Sequence, residues 1–164
     1  MTRKAACLLF GVLLMTCASA TFSFSPLEVA KPDLGVPFII YGIFFLSPAQ
    51  GLIAATVLAF SREILSSSPP GALLFASVGL VLSCIFLRSR LYIESRYTFA
   101  LVCAASVLTE SIIFLALSLF AKGETKDAYN VLIFSVPDSI ATGFVALFMF
   151  AFFEWTGIRY MDRV

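Results

Sequence analysis

Ten acidic residues, eleven basic residues and no histidine leave few groups in this 164-residue chain that could do chemistry. Four of them, Arg62, Glu63, Glu110 and Asp138, lie inside apolar stretches. At mid-bilayer depth an ionisable side chain costs at least about 2.5–3.5 kcal/mol on insertion scales, so each one calls for a partner or a function. Arg62 and Glu63 are adjacent, so on a helix they diverge by about 100° and cannot pair well with each other. Glu110, between Thr109 and Ser111, sits near the middle of its apolar run and is the most deeply placed charge. Asp138 follows Pro137 about a turn inside the last run, at nearly the depth of Arg62 and Glu63. These spacings predict an intramembrane polar cluster of Arg62, Glu63, Glu110 and Asp138. Such a cluster either lines a water-accessible site for a small ligand or sets helix register as a buried contact.

Other chemistries find no residues to carry them. Cys7, Cys17, Cys84 and Cys103 all lie in apolar stretches with no CxxC pair, which speaks against a thiolate metal site and a Cys/His nucleophile. They read as small interior fillers. The sequence has no GxxxxGK[ST], no GxGxxG and no paired acidic residues at ligand spacing. No catalytic residue, metal or cofactor is therefore expected. A net charge of +1 with dispersed Lys and Arg lacks the basic stripe that nucleic-acid binding needs.

The elements that must position these groups follow from composition. Hydrophobic residues make up 60% of the chain and charged residues 13%, against about 45–50% and about 25% in a soluble domain. Charges fall in short clusters between apolar runs of spanning length, which predicts an all-α membrane protein. The reading is a single polytopic domain over 1–164, a bundle of about six transmembrane helices near 5–24, 34–48, 50–66, 71–88, 98–121 and 131–155. The second run, bracketed by Pro37 and Pro48, is too short to cross a hydrocarbon core of about 30 Å without flanking residues, unless it is re-entrant. Small residues that allow close helix approach recur at Gly71-Ala72, Ala76-Ser77 with Gly79, Ala104-Ala105-Ser106 and Ala141-Thr142-Gly143. The eighteen phenylalanines, spread through all the runs, read as lipid-facing and packing groups.

Orientation follows from the positive residues, which are retained on the cytoplasmic face. With the N-terminus inside, that face collects Arg3, Lys4, Arg88, Arg90, Arg96, Arg159 and Arg163, against Lys31, Lys122 and Lys126 outside. Both termini are therefore expected in the cytoplasm. Trp155 and Tyr160 lie near the last boundary, where interfacial aromatics usually sit. A rival reading of the N-terminus is a signal peptide: Arg3 and Lys4, then an apolar run, then Ala18-Ser19-Ala20, with Leu14-Met15-Thr16-Cys17 hinting at a lipoprotein site. Continuation of the apolar run through Phe22 and Phe24 favours an uncleaved first span.

The stretch from Lys31 to Gly71 carries a family likeness. Lys31-Pro32-Asp33-Leu34, then Ser47-Pro48-Ala49-Gln50-Gly51, then Phe60-Ser61-Arg62-Glu63-Ile64-Leu65 with the serine- and proline-rich loop to Gly71, resembles the rod shape-determining MreD family. Departures are Glu63 where the family more often has aspartate, Ala59 where glycine is frequent, and Pro70 where leucine is usual. The resemblance implies a non-enzymatic inner-membrane component of the elongation machinery, acting in side-wall peptidoglycan synthesis. Its partners would be MreC, the actin-like MreB, RodZ, and the RodA-type glycosyltransferase with its transpeptidase. It also implies a fold shared with the substrate-binding subunits of energy-coupling-factor transporters, and the alternative function is that of such a vitamin-type binding subunit. Motif positions carried over by the resemblance are Pro32, Asp33, Glu63 and Gly71, with roles in packing or contact with MreC. Intact mass of the purified protein is expected to match an uncleaved N-terminus; a loss of about twenty residues would overturn the six-span reading.

Overall fold

The computed structural model describes residue 11 and residues 32–65, 71–91, 93, 95–122 and 126–155. The expected span at 5–24, apart from Gly11, lies outside the described residues, as do Arg3, Lys4, Cys7, Cys17, Lys31, Arg159, Tyr160 and Arg163. The described part is all-helical. Its elements are α1 (Gly35–Tyr41), continued by a π-helical turn (Gly42–Leu46), then α2 (Pro48–Leu65), α3 (Ala72–Arg88), α4 (Arg96–Lys122) and α5 (Lys126–Trp155). Two stretches, Arg96–Phe120 and Ile133–Glu154, are long and apolar enough to cross a membrane.

Local chemistry accounts for the helix boundaries. Pro37 stands in the first turn of α1, where its missing N–H would have had no intrahelical partner anyway. After the π turn, Ser47 leaves helical geometry with φ −147° and ψ 151°, and Pro48 opens α2 with a backbone already suited to a first helical position. The Ser47 hydroxyl accepts the N–H of Gln50 at 3.3 Å, so one residue both ends the first helix and caps the second. Gly71, at φ +88°, takes the left-handed conformation that a side chain resists and leads into α3.

α1 and its π turn are buried along most of their length. Together they span about 18 Å at 1.5 Å per residue, so the helix within 34–48 is not by itself a crossing of about 30 Å. It fills one half of the bundle as one arm of a hairpin with α2. The arms are close because Gly51 has no side chain: a Cβ there would lie 2.2 Å from Ile43 Cγ1 and 3.0 Å from the Ile43 backbone nitrogen. Gly35 is under similar constraint from Leu58, and Gly143 brings α5 to within van der Waals contact of Ala104 on α4.

The core divides along its length. Toward the end bearing Arg88 and Arg96, aromatic rings fill it: Tyr41 stacks on Phe45 and Phe153 at 4.8 and 4.2 Å, and Phe99 meets Phe150 at 5.1 Å. These contacts place the α1–α2 turn beside the first turn of α4 and the last turn of α5. The outward faces are also apolar, with Phe60, Phe86, Leu101, Phe144 and Phe148 exposed and Phe120 93% exposed. Large apolar side chains are exposed on each of α2, α3, α4 and α5, and exposed apolar surface of this kind marks a lipid or protein contact. We predict that Gly51→Val destabilises the purified protein by about 1–3 kcal/mol through overpacking, while Thr56→Val on the exposed side of the same helix does not. Thermal unfolding in detergent reads the difference.

Candidate functional site

The charge on Arg62 is placed by helix geometry. It lies about fourteen residues along α2 from Pro48, on the side facing the bundle, and Glu63 beside it faces elsewhere. The Arg62 guanidinium pairs through Nη2 with Asp33 Oδ1, and through Nη1 with Glu110 Oε1 at 3.4 Å. Side-chain exposure is 24% for Arg62, 17% for Asp33 and 12% for Glu110, so the group is largely enclosed.

Each carboxylate has further donors. The Ser77 hydroxyl of α3 donates to Glu110 Oε1 at 2.9 Å. Asp33 Oδ1 accepts the N–H groups of Gly35 and Val36 at 3.0 and 3.4 Å, satisfying two of the orphan donors at the start of α1. Because α1 begins there, its positive end adds to the field that holds this carboxylate. The Asp33 N–H in turn donates to Thr142 Oγ1 on α5 at 2.8 Å, and the Thr142 hydroxyl donates to the Asp138 carbonyl one turn away at 2.7 Å. All five described helices thus meet in one polar network.

The network lies in a single layer. Glu110 is about fourteen residues along α4 from Arg96, Thr142 about thirteen from Trp155, and Asp33 about thirteen from Leu46, so each sits about 20 Å from the arginine-bearing end. α1 fills the space below the layer with apolar and aromatic side chains. Above it, α4 and α5 continue toward Lys122 and Lys126.

The four residues expected to cluster divide three ways. Arg62 and Glu110 meet directly. Glu63 turns to the end of its own helix, where its Oε1 accepts the N–H of Gly71 and closes the link from α2 to α3 across the left-handed glycine. Asp138 enters through its main-chain oxygen by way of Thr142. Of the motif positions, Asp33 belongs to the ionic layer, Glu63 and Gly71 bond each other, and Pro32 is half-buried directly before Asp33.

Three members escaped the sequence reading as cluster residues. Asp33 stands in the family-like motif at the mouth of its apolar run, not at depth. Ser77 and Thr142 read from the sequence as small packing residues. They are 1% and 0% exposed, and buried polar groups require partners; in the sequence the sign was only a hydroxyl within an apolar run. A smaller polar step below Glu110 joins Cys84 Sγ and Ser106 Oγ at 3.6 Å between α3 and α4, with Cys103 buried nearby. Among the described residues, no group of three or more His, Cys, Asp and Glu converges as a metal site would.

No protein-family model matches the chain, and neither a curated protein nor a solved structure matches it. The arrangement itself can hold five helices at one level, and it places two carboxylates against one guanidinium. Removing the cation is therefore worse than removing one anion. Arg62→Gln is expected to destabilise the fold by about 3 kcal/mol, since it leaves two enclosed carboxylates facing each other. Glu110→Gln, which keeps the Asp33–Arg62 pair and a partner for Ser77, should cost about 1 kcal/mol. Equal losses in thermal or denaturant unfolding would show that the pairing is not made as described.

Proposed function

We propose that the chain is a multi-pass, non-enzymatic component of the bacterial inner membrane, of the MreD type, that scaffolds or regulates side-wall peptidoglycan synthesis. The observation that carries this reading is the use made of the residues on which the resemblance rests. Asp33 ties α1 to α2 through Arg62, and Glu63 ties the end of α2 to the entry of α3 at Gly71. These are contacts that set the relative positions of helices, as a protein working through a fixed binding surface requires. The ions are committed to one another: the Arg62 charge is shared by two acids, and Asp33 also caps a helix.

Membrane placement is supported by the two long apolar helices and by the phenylalanine-rich outward faces. With the arginine-bearing end in the cytoplasm, as the distribution of basic residues favours, the polar layer falls in the half of the bundle nearer the outside. MreC, MreB, RodZ and the RodA-type synthase with its transpeptidase are the proposed partners.

Depletion of the protein from a rod-shaped host is expected to round the cells, and re-expression of the wild-type chain to restore them. Glu63→Gln, which weakens the Gly71 link without unpairing Arg62, should restore width only in part at equal protein level. Unchanged cell width on depletion, with loss of uptake of a small solute, would sink this reading in favour of a transporter subunit.

A further inference from the structure

The segment joining α3 to α4 reads Arg88-Ser89-Arg90-Leu91-Tyr92-Ile93-Glu94-Ser95-Arg96-Tyr97, three arginines to one glutamate and a net charge of +2. Ile93 is 6% exposed within the hydrophobic core, so the connection is pinned at its centre. Arg90 and Arg96 are exposed and Arg88 is half-buried. No ion pair among the described residues engages any of the three. Arg96 opens α4, whose first turn holds no acidic residue, so its charge adds to the positive end of the helix dipole where an acid would have offset it.

Apolar groups lie directly beside these charges. Phe86, Leu91 and Tyr97 are exposed, and the Arg96 guanidinium sits over the Tyr97 ring at 5.4 Å. Two long apolar stretches have their ends at this level, Arg96 beginning one and Glu154 ending the other. In a bilayer this is the depth at which hydrocarbon gives way to phosphate.

We propose that the 88–97 connection binds the headgroup phosphate of an anionic phospholipid, with the arginines on the phosphate and Phe86, Leu91 and Tyr97 against the acyl chains. An acidic protein segment would use the charges but would leave the adjoining apolar groups unexplained. The inference rests on the membrane placement proposed above and is independent of the role in cell shape.

The test reconstitutes the full-length protein in vesicles of mixed phosphatidylcholine and phosphatidylglycerol, re-extracts it in mild detergent and counts retained lipid by native mass spectrometry. Phosphatidylglycerol should be enriched on the wild-type chain. Each exposed arginine replaced by glutamine should lower that enrichment about fivefold, and R88Q/R90Q/R96Q together about 100-fold. Should the triple variant fail to fold, the single R90Q, at an exposed turn position, carries the same test. K122Q/K126Q, at the opposite ends of the helices, should retain lipid as the wild type does. Equal retention of the two lipids by the wild type overturns the proposal. Unchanged enrichment in the arginine variants overturns it as well and assigns these residues to a protein partner. Failure of the protein to fractionate with membranes at all would instead remove the placement on which the inference rests.

Discussion

A guanidinium held between two carboxylates from different parts of the chain constrains everything else in this bundle. Arg62 has to reach Asp33 and Glu110 together, and an enclosed cation that misses its partners is far more costly than a mispacked methyl group. That requirement fixes the level of α2 against α4 and the starting point of α1. The hydroxyls of Ser77 and Thr142 then extend the same level to α3 and α5. Each contact taken alone is modest, since polar contacts between helices in bilayers average about 0.6 kcal/mol. Their joint effect is to exclude other registers, because a slide of one turn would separate several buried partners at once.

The short first helix makes sense in relation to this layer. It begins where Asp33 is held, runs about 18 Å and stops at Ser47, so its extent is that of the space between the ionic layer and the arginine-bearing end. Glycines at 35 and 51 let the hairpin close so tightly that side chains there would strike Leu58 and Ile43. The result is a core with two different characters. Interlocked aromatic rings supply packing at one end, and charge pairing supplies uniqueness of alignment at the other.

Outside the bundle the same chemistry changes meaning. Phenylalanines that are buried at positions 99, 150 and 153 recur exposed at 60, 86, 120, 144 and 148, so residue type alone does not tell inner from outer surface. The distinction comes from which helix face meets a neighbour. Loss of a water-facing polar surface is what makes the outward faces suited to lipid, and it also weakens the amphipathic pattern from which buried faces are usually read.

By itself the sequence determined the helical class, the two long apolar stretches toward the C-terminal end, the shortness of the second run and the need of Glu110 for a partner, because hydropathy, length and the cost of buried charge are properties of local stretches. It also separated Arg62 from Glu63, since neighbours on a helix must point apart. Only the tertiary structure decided that Asp33 is the nearer partner of Arg62, that Glu63 instead binds Gly71, and that Ser77 and Thr142 complete the layer. Those choices depend on helix rotation and relative level across 48 residues from Arg62 to Glu110 and 109 from Asp33 to Thr142. No local pattern encodes such distances; they emerge only when the five helices pack against one another.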